Sequence, residues 1–495
     1  MTTDLADPSA EADTEVEQYK LCSVCRYATP ASRDRCHHCL NDVANAQILH
    51  PDAAQRRLVR QAEIEVEIAD REERRKRYRR IALLAFLGLV LVYAGWWGYR
   101  TFIWEPPPLP LPSSSARQLA STTDAWPTTL GDLAATRTTA AVAALGGTEA
   151  WRIDLGSALV TNLIADADRL YATMVDDRLV AIDIEDGTVV WERPLQVAPI
   201  GAPTVAGTPG GAGSEDGIVY VPMRAGQLLA IDAATGEELF FSINTGARFT
   251  SSPIVADGTV YLYGIGDLVA FDAENGDLLW RKGVNSTWAT LSPVIANGSV
   301  ALASGDRSLV YDRVTSEETY FYEFERAHPY SIAYADDVIY TASSRVVTAY
   351  DINSRRPWWE GMRAVWFQFE IWQMAPSVPP PPALWATRRP PADGYPMAIS
   401  DQLIHLANPD GDLRAYARTS GELNWAISTA DIVAPPLLTP DGLLIAHPDR
   451  LAMYDIDSGA LQNEHPFDGD QLEDVVVTSA GTFVATQNGE LLALR

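Results

Sequence analysis

The stretch Ala270-Phe271-Asp272-Ala273-Glu274-Asn275-Gly276-Asp277-Leu278-Leu279-Trp280 carries a pattern, Ala-x-Asp-x-x-x-Gly-x-x-x-Trp, that decides the fold. Clear copies stand at Ala181, Asp183, Gly187 and Trp191, and at Ala230, Asp232, Gly236 and Phe240. With the Asp as marker, the register continues through Asp183, Asp232, Asp272, Asp312, Asp351, Ala417, Asp455 and Arg495. The gaps are 49, 40, 40, 39, 66, 38 and 40 residues. A period near 40 in strand-like sequence predicts a β-propeller with four strands per blade.

Each repeat reads alike. An apolar strand comes first, as in Ser252-Pro253-Ile254-Val255, followed by a turn such as Asp257-Gly258 or Asn297-Gly298. These pairs supply the positive φ angles that tight hairpins need. A second strand, the marker strand, a turn closed by the Gly and an outer strand with the Trp follow. The Trp is expected between neighbouring blades, where a large rigid group buries most area. The Asp is expected to cap the next turn through its backbone. Both residues are therefore read as structural.

The last marker strand, Leu491 to Arg495, stops before any Gly or Trp. Gly147 and Trp151 at the front have the missing four-residue spacing. Strand 147–155 is therefore expected to complete the last blade, leaving no long free sheet edge. That gives eight markers and an all-β, eight-bladed propeller over residues 146–495. The pattern resembles the pyrroloquinoline-quinone (PQQ)-type propeller repeat superfamily. That superfamily includes quinoprotein dehydrogenases and the non-enzymatic eight-bladed lipoprotein of the outer-membrane β-barrel assembly machinery. The resemblance implies a fold; function must come from the site.

Residues 81–104, from Ile81 to Trp104, are apolar enough and long enough to cross about 30 Å of hydrocarbon as a helix. Aromatic residues from Tyr93 to Trp104 would mark one interface. Arg71, Arg74, Arg75, Lys76, Arg77, Arg79 and Arg80 precede the span, whereas Arg100, Glu105 and a proline run lie at its other end. The positive side stays in the cytoplasm. A single-pass inner-membrane protein is expected, with a cytoplasmic N-terminus and a periplasmic or extracellular propeller.

All four cysteines precede the span, as Cys22-x-x-Cys25 and Cys36-x-x-Cys39. Two such knuckles suit one tetrahedral zinc, and a reducing cytoplasm keeps the thiols available. A rubredoxin-type iron site and a redox dithiol pair are the other readings. His37 and His38 lie inside the second knuckle, where four sulfurs already saturate the metal. Residues 20–42 resemble the short zinc-ribbon modules found at the N-termini of many bacterial membrane proteins, and metal binding would supply most of their folding energy.

The remaining pieces are simpler. Residues 1–19 are acidic and unpatterned, and are expected to be disordered. Residues 51–80 read as a charged helix, with only a faint stripe at Leu58, Ala62, Val66 and Ala69. Pro106 to Pro112 suggest a stiff spacer, and the Ala/Thr-rich stretch to residue 145 reads as linker, completing a linker over 105–145. From residue 113 on there are 49 acidic and 23 basic side chains, against 16 and 15 before it, within a total net charge of −27. An acidic propeller repels nucleic acid phosphates, so no nucleic acid partner is expected.

Quinoprotein enzymes of the resembled superfamily hold PQQ with a calcium ion, a catalytic Asp and often a disulfide of adjacent cysteines. This propeller has no cysteine, no calcium-ligand set can be assigned, and His328, His405, His447 and His465 are scattered over different repeats. Asp166, Asp168, Asp176 and Asp177 read as solvated loop acids. No catalytic residue is assigned, and PQQ is disfavoured. About 27 extra residues separate Asp351 from Ala417 and carry Trp358, Trp359, Trp366, Phe367, Phe369, Trp372 and Trp385. This insertion, 357–396, is a candidate channel plug, partner surface or membrane contact; Trp366, Phe369 and Trp372 are taken as candidate partner-binding residues. The favoured reading is a membrane-anchored, non-catalytic protein-binding scaffold, with envelope assembly as one setting. A transmembrane sensor and a PQQ-dependent oxidoreductase are the alternatives.

Overall fold

The computed structural model describes residues 18–103, 109–115, 117–119, 123–195, 199–208, 216–224, 226–284, 291–305, 307–323, 328–353, 363–376, 383–469 and 471–495. The expectations for residues 1–17, Pro106 to Pro108, Trp358, Trp359 and Pro379 to Pro382 lie outside them. The chain divides into two units, residues 1–105 and 106–495.

In the first unit, Tyr19–Leu21 and Ala28–Pro30 form a two-stranded hairpin. One uninterrupted helix then runs from Pro51 to Phe102. The charged segment and the apolar segment, expected as two pieces, are thus one 52-residue helix. Its C-terminal part is long and apolar enough to cross a membrane by length and composition. Pro51 stands at its first turn, where the missing N–H costs nothing.

The second unit is the propeller. It consists of eight antiparallel sheets of four strand positions, and the marker stands at the end of each third strand or one residue beyond it: Arg178–Asp183, Gln227–Asp232, Asp267–Asp272, Arg307–Asp312, Val346–Asp351, Asp412–Ala417, Arg450–Tyr454 and Glu490–Leu494. In the third blade the innermost position is split between Arg248–Phe249 and Ile254–Ala256. The eighth blade is completed by Glu149–Asp154, which pairs with Glu490–Leu494. The ring therefore closes as the ends of the repeat pattern suggest. The strands of each meander alternate in direction. The turns after the first strand and the Asp-marked turns after the third therefore share one face, here termed the Asp face.

The repeat residues act between blades. Trp191 donates its indole N–H to the Ala233 carbonyl of the next blade at 3.0 Å. Trp151, Trp385 and Trp425 do the same to Ile184, Arg418 and Ile456 at 3.1, 2.8 and 2.9 Å. Each ring lies over the next blade's turn glycine. At Gly236, with φ +76°, an added Cβ would stand 2.7 Å from the Trp191 ring. The marker Asp caps its own turn: Asp183 Oδ1 accepts the Glu185 N–H at 2.8 Å, and Asp232 Oδ1 accepts the Thr235 N–H at 2.8 Å. Trp385 belongs to this set. It opens the outer strand Trp385–Arg388 of the fifth blade, so the extra residues end before it and the insertion occupies 352–384, not 357–396.

The stretch suggested as a linker is built into the propeller. Residues 123–139 run around the inside of the ring and reach every blade. The N–H groups of Val205, Ile295, Tyr334, Ile399 and Leu438 donate to the carbonyls of Pro127, Leu133, Ala134, Thr136 and Arg137 at 2.8–2.9 Å. Trp126 and Ala165 exchange both backbone bonds, Ser479 N–H donates to Thr123, and the Thr129 and Ser252 hydroxyls are 3.0 Å apart. Trp126, Leu130, Ala135 and Arg137 are buried. Arg137 donates to the carbonyls of Pro436 and Thr129 at 2.9 and 2.6 Å. Burial pushes its guanidinium down to about 10, opposed by Asp474 and Asp132. Alanine, threonine and glycine suit this narrow path because they fill little volume. Composition alone cannot distinguish that from a flexible tether. No helix occurs among its described residues.

Two outcomes follow. Gly236→Ala combines a left-handed backbone with a ring collision and should cost about 2–4 kcal/mol in denaturant unfolding. Adding Trp191→Ala should make the pair cost less than the sum of the single changes, and strict additivity would contradict the contact. Arg137→Met leaves Asp474 buried without its cation and should cost about 3–5 kcal/mol. A loss below about 0.5 kcal/mol, the level of an ordinary surface change, would mean that 123–139 is only loosely seated.

Candidate functional site

The four cysteines meet. Their sulfur atoms all lie within 4.8 Å of one another, with Cys22 to Cys39 at 3.6 Å and Cys25 to Cys36 at 3.5 Å. Zinc–sulfur bonds of about 2.3 Å in a tetrahedron require edges of about 3.8 Å, so the cluster fits a zinc-sized ion. The two knuckles repeat one geometry. Arg26 N–H donates to the Cys22 carbonyl and Leu40 N–H to the Cys36 carbonyl, each at 2.9 Å. Arg26 and Leu40 themselves turn through φ 58° and 59°. That left-handed step follows each Cys-x-x-Cys and turns the chain away from the knuckle, and neither position is glycine.

The surroundings favour thiolate at two corners, and at Cys22 backbone hydrogen bonds from Cys25 and Val24 draw the thiol down. Burial opposes ionisation of Cys36. Hydrogen bonds from the Thr29 hydroxyl and from the Cys39 and His38 backbone outweigh it and draw the thiol down to about 6. Burial pushes Cys25 up to about 12. Tyr27 stacks on His38 at 4.0 Å, and His37 Nδ1 lies 3.2 Å from the Thr29 hydroxyl. The histidines thus sit around the sulfur cluster and not in it. Among the described residues, this is the one group of three or more Cys, His, Asp or Glu side chains close enough to share an ion.

The other sequence candidates are placed as follows. Helix Arg363–Ile371 holds Trp366 and Phe369, with Trp372 just beyond it. Their exposures of 44, 38 and 60% leave each of them partly open to solvent. Residues 123–139 line the channel. Trp366 donates to the Pro376 carbonyl at 3.0 Å, and Phe369 meets Trp372 edge-on at 5.8 Å. Ile371 and Met374 extend the exposed apolar surface.

Three of the propeller's four histidines, His328, His447 and His465, hydrogen-bond within the fold. His447 bonds the Asp431 carbonyl and the Tyr454 hydroxyl at 2.8 and 3.2 Å, and His465 bonds Leu145 at 2.9 Å. His405 is buried against Trp425, and burial pushes it down to about 4. Asp166 is not a solvated loop acid: it is buried, accepts the Tyr171 hydroxyl at 2.6 Å, and is pushed up to about 6 by burial. Asp176, by contrast, pairs with Arg178 at the surface.

Replacing Cys36 with Ser removes the sulfur that collects the most hydrogen bonds. Zinc affinity should fall roughly a hundredfold or more, read by chelator competition; unchanged affinity would contradict a four-sulfur centre.

Comparison with known proteins agrees with the propeller. Residues 202–313 match the family described as outer membrane protein assembly factor BamB. No curated protein matches by sequence. The structure of BamB from Moraxella catarrhalis is similar at TM-score 0.54 and 14% identity, covering 70% of this chain and 99% of that one. The computationally designed Ika8 protein is similar at TM-score 0.56 and 13% identity, covering 70% and 100%. Quinohemoprotein alcohol dehydrogenase from Comamonas testosteroni is similar at TM-score 0.56 and 16% identity, covering 76% and 81%. Such identities speak for the fold alone. The chain carries an eight-bladed propeller that resembles the PQQ-type repeat proteins, enzymes and non-enzymes alike.

Proposed function

We propose that this protein is a single-pass membrane protein whose extracytoplasmic propeller is a non-catalytic scaffold for protein partners in the cell envelope. Its cytoplasmic ribbon holds one structural zinc through Cys22, Cys25, Cys36 and Cys39. The observation that carries the scaffold reading is the use made of the propeller's polar groups. The marker acids cap turns, the histidines brace strands, and the Asp-face end of the channel is occupied by residues 123–139. The likeness to an assembly factor supports the same reading.

Topology is assigned from charge. The seven basic residues between Arg71 and Arg80 belong on the cytoplasmic side, the helix carries the chain across, and the propeller follows. Trp366, Phe369 and Trp372 are the residues this reading assigns to contacts outside the propeller.

The likeness to quinohemoprotein alcohol dehydrogenase keeps one rival reading testable. Protease added to intact spheroplasts should degrade the propeller and spare a fragment ending near residue 80. Cross-linking in membranes should capture protein partners, and purified protein given PQQ and calcium should show neither a bound-quinone absorption band nor dye-linked alcohol oxidation. A protected propeller would overturn the topology, and turnover would overturn the scaffold.

A further inference from the structure

The long helix carries an abrupt charge step. Residues 63–73 hold six acids and one arginine, whereas residues 74–80 hold six basic side chains and no acid. The acidic band takes up two of the arginines. Arg71 pairs with Glu67 at 2.6 Å and Arg74 with Asp70 at 2.7 Å, each across one helical turn. Arg75, Lys76, Arg77, Arg79 and Arg80 are all exposed, and none has an ion-pair partner among the described residues. At 3.6 residues per turn these five sweep an arc of about 200° around the helix.

Their depth follows from the continuity of the helix, which runs from Pro51 to Phe102 without interruption. Residues 81–99 carry no charged side chain. At about 1.5 Å per residue they cover about 28 Å, close to the hydrocarbon thickness of a bilayer. Residues 75–80 take up about the next 9 Å of the same helix, close to the depth of one headgroup layer. Where the apolar segment crosses a bilayer, the five free cations are therefore held at headgroup level by the same rigid element.

Charge selects what meets them there. A phospholipid phosphate approaches from the side and stays within the headgroup layer, which ends where the acidic band begins. A nucleic acid would run past that level, and its phosphates would meet the six carboxylates of residues 63–73. We propose that Arg75, Lys76, Arg77, Arg79 and Arg80 form a collar that recruits anionic phospholipid in the leaflet at the N-terminal end of the span. The inference rests on the anchored reading above and gives it a lipid partner. Arg71 and Arg74 contribute little to the collar, because Glu67 and Asp70 already satisfy their charge.

The test uses the full chain reconstituted in phosphatidylcholine vesicles containing a minority of phosphatidylglycerol. Spin-labelled phosphatidylglycerol and spin-labelled phosphatidylcholine are the probes, and electron paramagnetic resonance separates lipid held at the protein from bulk lipid. At low ionic strength the anionic probe should associate at least about threefold more strongly, and high salt should shrink the difference. Changing Arg75→Gln and Arg79→Gln together should remove about half of that preference or more. Changing Arg71→Gln and Arg74→Gln together alters net charge equally and should leave most of it. Equal losses in the two variants would overturn the collar, as would a wild-type chain with no preference. Release of phosphatidylglycerol by a short DNA duplex in competition would assign the cations to nucleic acid and overturn it too. Alkaline carbonate extraction of native membranes separates the causes of failure. Extracted protein overturns the anchored reading and the collar with it; retained protein without lipid preference overturns the collar alone.

Discussion

A ring of eight sheets has one seam, and the hydrogen bonding of Glu149–Asp154 to Glu490–Leu494 closes it. Every other blade contact repeats a local solution, but this one joins positions more than 330 residues apart. It leaves no unpaired strand edge at the seam. Trp151 on the closing strand lies over Gly187 of the first blade and donates to Ile184, so the seam carries the same wedge as the other interfaces. Arg152 adds surface ion pairs to Glu149 and Glu490; in such positions these contribute little. Closure rests on backbone pairing and the indole.

The seam also decides what the preceding residues can do. The chain crosses the ring before it reaches the eighth blade's outer edge. It does so along the Asp face and through the channel end, offering carbonyls to one blade after another. The resulting belt buries Arg137 where the charges of the buried Asp474 and of Asp132 act on it.

Much of this could be read from residues. The period of Asp, Gly and Trp specified eight blades because most repeats spend the Asp on one turn and the Gly and the aromatic residue on one blade interface. The cysteine spacing specified a tetrahedral sulfur site for a similar reason: few arrangements bring two Cys-x-x-Cys pairs together. The belt of residues 123–139 left no such trace. Its contacts are backbone bonds, which any residue but proline can donate and any residue can accept, so its small residues looked like a tether. Trp385 was drawn into the insertion because an insertion before an outer strand displaces the Trp from its expected spacing. Asp166 looked exposed because a turn acid and a buried acid bonded to Tyr171 read identically in sequence.

Residues 123–139 are a structural part of the propeller. Amide hydrogen exchange on the intact protein tests it most directly. The N–H groups of Val205, Ile295, Tyr334, Ile399 and Leu438, which donate to the belt, should exchange as slowly as interior strand amides of the same blades and open only with global unfolding. If they exchange as fast as the exposed turns while the strands remain protected, the belt is not seated in the channel, and the propeller closes without it.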